Sequence, residues 1–170
     1  MVKIVVVDKN NKIIGSEEKR VALEKEMIRR VSRIFIFNKN KELFLQKRAP
    51  NKKIAPNAWD VSVGGHVDEN ETYLKAAKRE LKEELGIVGL KLKKVCSFYL
   101  EEPSENKTAK AFDELYKTEY SGEFVLNKAE IVNGKWFSLN KLEKEIKNHP
   151  NKFAPGLKKS FEEYKKISFK

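Results

Sequence analysis

Three glutamates of this 170-residue chain are spaced so that one helix would bring them together. Residues 72–85 have the periodicity of an amphipathic helix, at roughly 100° per residue. Its predicted apolar stripe consists of Leu74, Ala77, Leu81 and Leu85. On another face, spacings of three and four residues bring together Glu80, Glu83 and Glu84. Like charges at these spacings cost roughly 0.2–0.5 kcal/mol per pair, so this acidic face calls for a compensating charge.

A hard divalent cation would supply that compensation. Mg²⁺ and Mn²⁺ take oxygen ligands, usually a few carboxylates together with waters and substrate phosphates. Arg79 is spaced to pair with Glu83 at i+4, which would fix one carboxylate while the others stay available to a cation. The alternative is a solvated acidic face, which is the usual fate of a charge run. On the evidence of this helix alone, the two interpretations are evenly matched.

The residues around the helix favour the metal site. Residues 65–87 begin with Gly65, reach Glu71 after five residues, and end, seven residues later, in RELKEELGI. This pattern resembles the signature of the Nudix hydrolases at every fixed position, which makes it far more specific than a lone glycine motif. The resemblance implies an α+β fold, the Nudix α/β/α sandwich, in which helices flank a mixed central sheet. We expect one such domain over residues 1–170.

The resemblance also implies an activity and a set of site residues. Nudix enzymes hydrolyse a diphosphate that joins a nucleoside, or another group, to a moiety X, and the implied cofactor is Mg²⁺ or Mn²⁺. Such cations neutralise phosphate oxygens and lower the pKa of a bound water. The motif positions that supply metal ligands are Gly65, through a backbone carbonyl, and Glu80, Glu83 and Glu84. Arg79 and Glu71 would hold the helix and its carboxylates in place. The candidate catalytic set is Glu83, Glu84, Arg79 and Glu130.

The general base and the substrate contacts stay open at this point. Glu130 and Glu114 are candidate bases, and each is equally compatible with an ordinary surface carboxylate. Lys47 and Arg48, at the end of a predicted strand, are candidates for binding substrate phosphates, against a solvated strand end. His66 follows the glycine pair and is a candidate for contacting metal or phosphate, against a structural hydrogen-bonding role.

A further resemblance points to the isopentenyl-diphosphate isomerase branch of the superfamily. It rests on the segments VVDKNNKIIG, RVSRIFIFNKNKELFLQKRA, WDVSVGGHV and EIVNGKWFSL. Isomerases of that branch carry a catalytic cysteine where this chain has Gly64, and Cys96 lies far downstream. Allylic isomerisation needs placed acid and base groups at carbon, and without this thiol one of them is missing. Since the hydrolase motif is complete, the chain resembles an isomerase-like Nudix hydrolase. Nucleoside diphosphates and their derivatives are the implied substrates, and isomerase activity is the alternative.

Composition bounds the remaining possibilities. The net charge of +11 raises a second alternative, an RNA-binding or RNA-end-processing Nudix protein. Only six of the 36 basic residues are arginine, and the lysines are spread along the chain, so surface solubility is favoured over nucleic acid. No apolar run approaches the ~18–20 residues of a membrane span, and a signal-peptide pattern is missing. We therefore expect a cytoplasmic protein that does not bind membranes, in an oligomeric state that the sequence leaves open.

The segments around the motif predict the elements that position it. Predicted strands are residues 2–8 and 12–15, forming an N-terminal hairpin, then 30–37, 42–48, 61–63, about 90–100, 112–120, and one at 136–137. A first helix is predicted through Val21, Leu23 and Met27, capped by residues 16–18. Two more helices are predicted near the end, at 139–147 with Asn140 as the cap and within 153–164, opened by Pro155. A polar break is predicted at 101–107, around Pro103.

Overall fold

The computed structural model describes residues 2–168. Its elements in chain order are β1 (Lys3–Val7), β2 (Ile13–Glu18), α1 (Lys19–Glu24), β3 (Ile28–Phe37), β4 (Leu43–Arg48), β5 (Trp59–Asp60), β6 (Val63–His66), α2 (Tyr73–Leu85), β7 (Lys93–Ser104), β8 (Lys107–Glu119), β9 (Ile131–Phe137), α3 (Leu139–Asn148), a 3-10 turn (Pro150–Lys152) and α4 (Pro155–Ser168). None of the helices within these residues has the length and apolar character needed to cross a membrane.

The nine strands described between residues 2 and 168 belong to one mixed sheet centred on β3. β3 pairs antiparallel with β1 and β6 and parallel with β8, while β1 pairs with β2 and β8 pairs with β7. β4 joins β3 at one residue pair, Phe37 and Leu43, and also pairs with β5 and β9. The predicted α+β fold, with a mixed sheet, flanking helices and an N-terminal hairpin, is confirmed.

β3 contributes side chains to both hydrophobic cores of the sandwich. Successive side chains of a strand point to opposite faces of the sheet. On one face, Ile34 and Ile36 belong to the core that includes the buried residues of α2. On the other face, Phe35 and Phe37 pack in the core that contains Leu157 of α4. The run of β-branched and aromatic residues in β3 therefore forms a strand buried on both faces, as the sequence predicts.

A buried ion network centred on Arg33 links several strands of the sheet. Arg33 on β3 is 6% exposed, and its Nε donates a hydrogen bond to Oδ2 of Asp113 on β8 at 2.5 Å. Oxygens of Asp60 on β5 and Glu102 on β7 lie 3.8 and 3.9 Å from the same guanidinium. Burial opposes the charge on Arg33, but these three carboxylates outweigh it and raise the pKa of Arg33. One guanidinium thus fixes the relative positions of β3, β5, β7 and β8.

The predicted first helix is the largest error of the sequence interpretation. Residues 16–18, which were expected to cap that helix, are the end of β2, where Ser16 pairs with Val5 and Glu18 pairs with Lys3. The helix itself spans only Lys19–Glu24, and Met27 lies beyond its end. Pairing with β1 satisfies the backbone of these residues, so the local capping signal is overridden by tertiary structure.

The polar break predicted at 101–107 is only partly right. β7 continues through Pro103 to Ser104, and the turn lies between Ser104 and Lys107. Within the described residues β7 pairs with β8 only, so the missing N–H of proline falls on a sheet edge, where it is tolerated. Two smaller corrections concern the predicted strand at 61–63, which is replaced by β5 and β6, and the cap of α3. Ser138, not Asn140, accepts a hydrogen bond from the backbone N–H of Lys141.

Gly156 gives a direct test of the Arg33 network. A Cβ at this position would lie 2.2 Å from Nη1 and 2.4 Å from Cζ of Arg33. Because Asp113 holds that guanidinium in place, Gly156→Ala should lower the free energy of unfolding by about 1–3 kcal/mol, measured by urea denaturation.

Ser168→Ala is the control on the same helix. Its side chain is exposed at the end of α4, far along the helix from Gly156. We expect a change within about 0.5 kcal/mol. Equal stability of the two variants would contradict the packing of Arg33 against α4.

Candidate active site

α2 carries the acidic residues and is fixed at both ends. The side chain of Thr72 accepts a hydrogen bond from the backbone N–H of Lys75. Gly86 adopts the left-handed conformation (φ 69°) that commonly ends a helix. The predicted helix is confirmed, but its apolar stripe is partly wrong because Leu74 is exposed. The apolar residues that α2 buries are Tyr73, Ala76, Ala77, Leu81 and Leu85.

Arg79 brings the carboxylates of the motif together. Its Nε and Nη2 donate to the two carboxylate oxygens of Glu71, each at 2.9 Å, and Nη2 also donates to the backbone carbonyl of His66 at 2.9 Å. Its Nη1 donates to Glu80 at 2.6 Å and to Glu83 at 3.2 Å. The hydrogen bonds from Arg79 lower the pKa of Glu71. The geometry agrees with the expected role of Arg79 and Glu71 in holding the helix and its carboxylates.

Glu80 and Glu84 lie inward, against the glycine pair of β6. Glu84 is 4% exposed, and its Oε2 accepts a hydrogen bond from Nε2 of Gln46 at 3.0 Å and one from the N–H of Gly64 at 3.4 Å. A Cβ on Gly65 would lie 1.9 Å from Oε1 of Glu80. Gly65 is therefore required by the close approach of a carboxylate to the backbone. Glu83 is the more exposed member of the group, at the rim.

Burial makes the ionised forms of Glu80 and Glu84 electrostatically unfavourable. It raises the pKa of Glu80 to about 7, against the hydrogen bond from Arg79. Burial also raises the pKa of Glu84 well above its usual value, and the charges of Glu80 and Glu130 raise it further. A divalent cation beside these oxygens would reverse that preference and stabilise both charges. The donor set of carboxylate and backbone oxygens fits Mg²⁺ or Mn²⁺.

The acidic residues of the cavity do not provide a complete set of metal ligands by themselves. Within residues 2–168, no three acidic, histidine or cysteine side chains are close enough together to form a full ligand set. Mg²⁺ usually keeps several waters and takes substrate phosphates as ligands, so two inward carboxylates with a neighbouring carbonyl are a sufficient protein contribution.

The acidic residues line a cavity of about 600 Å³ that also has a basic side. The basic residues that line it include Lys19, Arg20, Arg48, Lys52 and Lys53. Lys19 keeps contact with solvent at the cavity mouth, yet desolvation of its ammonium by the cavity walls, together with the charge of Lys52, lowers its pKa. Cations that crowd each other in this way favour a bound anion. The cavity thus combines a cation-binding and an anion-binding side.

The predicted phosphate contacts divide between the cavity and the surface. Arg48 lines the cavity, and it also braces the loop after β4, since Nε donates to the carbonyl of Ile54 at 2.9 Å and Nη1 donates to Asp60 at 3.0 Å. Lys47 is not among the lining residues, and its ammonium lies 5.9 Å from the ring centre of Trp59. Of the two basic residues at the end of β4, the structure places only Arg48 at the site.

His66 lines the cavity in a hydrogen-bonding role. Its Nε2 lies 2.6 Å from Nη1 of Arg29 and accepts the hydrogen bond, since arginine has donors only. Burial, reinforced by the charge of Arg29, lowers the pKa of His66 well below its usual value, so the ring is neutral. This contact matches the structural alternative considered from the sequence, while the ring still borders the cavity.

Only one of the two candidate bases lines the cavity. Glu130 lines the cavity, where its Oε2 accepts from Nζ of Lys52 at 2.6 Å. Glu114 is outside the cavity lining and accepts from the hydroxyl of Tyr116 and from Lys94. The interpretation of Glu114 as a base is therefore wrong in position.

The sequence interpretation missed Lys19, Lys52 and Arg29, which all line the cavity. With 30 lysines in the chain, neither lysine has a local feature that distinguishes it from surface lysines. Arg29 had one usable feature, a charged residue at the start of a strand that is otherwise strongly apolar.

Comparisons with known proteins agree with this geometry. The model of the NUDIX domain matches residues 27–160. Isopentenyl-diphosphate Delta-isomerase 2 of Photorhabdus laumondii is 34% identical over 157 residues, covering 92% of this chain and 88% of that protein. An uncharacterized Nudix hydrolase of Pseudomonas aeruginosa is 37% identical over 97 residues, 57% of each chain. A crystal structure from Deinococcus radiodurans superposes with a TM-score of 0.79 at 27% identity, covering 98% of this chain and 99% of that one.

The raised pKa of Glu80 predicts how stability depends on pH in the absence of metal. Between the ordinary pKa of about 4.5 and the folded value of about 7, the folded state binds more protons than the unfolded state. The free energy of unfolding in EDTA should therefore fall as pH rises across this window, by at most about 3 kcal/mol from Glu80. Chemical denaturation at pH 5 to 8 measures it.

Glu80→Gln is the control, because it keeps the shape of the side chain but does not titrate. The difference between wild type and variant reports on Glu80 and its effect on Glu84, since His66 is present in both proteins. Added Mg²⁺ should stabilise the wild type most at the high end of the range. Identical pH dependence of the two proteins would show that Glu80 is not buried as described.

Proposed function

Because the chain belongs to the Nudix family and is a Nudix-type pyrophosphohydrolase, we propose that it uses Mg²⁺ or Mn²⁺ to hydrolyse a diphosphate linkage in a nucleoside diphosphate derivative. The observation that carries the proposal is the combination of an acidic and a basic side in one cavity. Hydrolysis of a diphosphate needs both, because the reacting phosphates are anionic and repel an attacking water.

The acidic side would hold the cation. Glu80 and Glu84, with the rim carboxylate of Glu83 and the backbone carbonyl of Gly65, are the proposed ligands. When bound, the ion neutralises phosphate oxygens and lowers the pKa of a bound water. Gln46 donates to Glu84 and so fixes which carboxylate oxygen is free. Arg79 orients Glu80 and Glu83 from the other side.

The basic side would bind the substrate phosphates. Arg48, Lys52 and Lys19 are the proposed contacts, and the first two are already tied to the framework by Asp60 and Glu130. Such prior fixation reduces the entropy lost when substrate binds. An anion between these cations would also offset the crowding that lowers the pKa of Lys19.

The proton of the attacking water needs an acceptor inside the cavity. Glu130 and Glu83 both line it and both keep contact with solvent. We assign this role to Glu130, because Glu83 is engaged by Arg79 and is proposed as a ligand. Lys52, which is bonded to Glu130, would release the carboxylate by moving to a substrate phosphate.

An isomerase is the second candidate, favoured by the relative from Photorhabdus laumondii. Protonation of an isopentenyl double bond needs an acid at the substrate carbon. Cys96 lies on β7 and packs against the core shared with α4, and no cysteine lines the cavity within residues 2–168. Gly64, which is the place where the resemblance to the isomerases implies a thiol, lines the cavity. Hydrolysis therefore remains the favoured function.

Glu84→Gln tests the proposed function. Glutamine keeps the shape and the contact with Gln46, so we expect a folded protein, but it is a weak ligand for a hard cation. Metal-dependent turnover should fall by about two orders of magnitude or more. A screen of nucleoside di- and triphosphates, sugar nucleotides, dinucleotides and isopentenyl diphosphate, with products identified by ³¹P NMR, measures it.

Glu101→Gln is the matched control, because Glu101 is an exposed carboxylate on β7 outside the cavity lining. Its turnover should equal that of the wild type. Full activity of Glu84→Gln would contradict the metal assignment. Double-bond migration in isopentenyl diphosphate by the wild type would establish the isomerase instead.

A further inference from the structure

The cavity also has apolar side chains in its lining, namely Ile4, Leu23 and Val31. They lie beside charged groups, since Lys19 and Arg20 are on the same helix as Leu23 and Glu102 lines the cavity as well. Arg29 on β3 lines the cavity too and, at 1% exposed, is its most deeply buried basic residue. Apolar walls with a buried hydrogen-bond donor are typical of a site for the less charged part of a small ligand.

Arg29 has more donors than its protein contacts use. Its Nε donates to the backbone carbonyl of Lys110 at 3.3 Å, and its Nη1 donates to Nε2 of His66 at 2.6 Å. A guanidinium has five N–H donors, and within residues 2–168 no acceptor is bonded to Nη2. No carboxylate of the described residues lies within 4.0 Å of Arg29 either. A buried cation without an ion pair is unfavourable unless something else provides acceptors.

The surroundings of Arg29 favour a neutral acceptor over a second anion. Glu102 and Asp113 are near enough to act on its charge, although they lie beyond ion-pair distance. Burial nevertheless dominates and lowers the pKa of Arg29. An added phosphate or carboxylate would meet repulsion from these two groups. A carbonyl oxygen would accept the unused N–H donors without that cost.

The distance along β3 suits a ligand that spans both ends of the cavity. Gly65, beside the proposed cation, pairs with Ser32, and Arg29 lies three residues further along the strand. At ~3.3 Å per residue, Arg29 is roughly 10 Å from that position along the sheet. A sugar fits between a diphosphate at one end and a ring at the other.

On the basis of the proposed function, we propose that Arg29 selects the nucleoside part of the substrate by donating hydrogen bonds to a carbonyl oxygen of its nucleobase. The substrates would then be nucleotides of uracil, cytosine or guanine. Adenine carries no carbonyl, and its acceptors N1 and N7 lie beside the amino group, a donor that would meet the N–H groups of the guanidinium. An isoprenoid chain has no acceptor at all and would leave the guanidinium unpaired. Arg29 is a specificity-determining residue in this account and takes no part in the chemical step.

Binding of uridine and adenosine monophosphates in EDTA tests the assignment without relying on catalysis. Isothermal titration calorimetry should show that the wild type prefers the uridine nucleotide by about tenfold or more, as expected when one nucleotide leaves a buried donor unpaired. Arg29→Met should reduce the preference to within about twofold. Arg29→Lys keeps a charged donor and should retain part of it.

Arg30→Met is the matched control, because Arg30 neighbours Arg29 on the same strand but bonds to Asn11 instead and packs over the ring of Tyr73. It should keep the full preference, and far-ultraviolet circular dichroism verifies that each variant is folded. Equal binding of both nucleotides by the wild type, or an unchanged preference in Arg29→Met, would overturn the proposal. Selective binding without hydrolysis of any nucleotide would overturn the proposed function while supporting the assignment of Arg29.

Discussion

The structure of the site depends on two carboxylates held away from solvent. Glu80 is paired with Arg79, whereas buried Glu84 has no cation within ion-pair distance among the described residues. Glu80 and Glu84 lie against Gly65 and Gly64, in space that a side chain on Gly65 would fill. Burial raises the pKa of both carboxyls, so the protein retains an arrangement that costs free energy in the absence of a ligand. Carboxyl groups with strongly shifted pKa values are typical of functional sites. The rest of the fold maintains this arrangement.

The sheet places the opposite charges within reach of these carboxylates. β3 uses its large apolar residues to build two cores at one end, and two of its arginines, Arg29 and Arg33, line the cavity. The Arg33 network fixes β5 and therefore Asp60, which in turn holds Arg48. Arg79 fixes the other side. Both sides of the cavity are thus positioned by ion pairs, buried around Arg33 and partly buried around Arg48 and Arg79, and these pairs constrain the geometry of the site.

The motif helix was predictable because its evidence is local. Periodicity and fixed spacing determine where the glutamates lie on one helix. The strand residues were harder, since one step along a strand moves a side chain to the opposite face. Glu114 was chosen from sequence, yet its neighbour Asp113 points into the Arg33 network and Glu114 points away. Which of these two carboxylates faces the network depends on the pairing of Arg33 with a residue 80 positions away in sequence. No local sequence pattern indicates that pairing.

The binding of Mn²⁺ observed by NMR tests the central claim most directly, because a paramagnetic ion broadens the signals of nearby nuclei. In ¹⁵N-labelled protein, substoichiometric Mn²⁺ should first broaden the amide signals of residues 64–66 and 80–84. Signals of the Arg33 network and of α3 should broaden less. The account would be contradicted if no broadening occurred at millimolar Mn²⁺, or if the first broadened signals clustered elsewhere in the sheet.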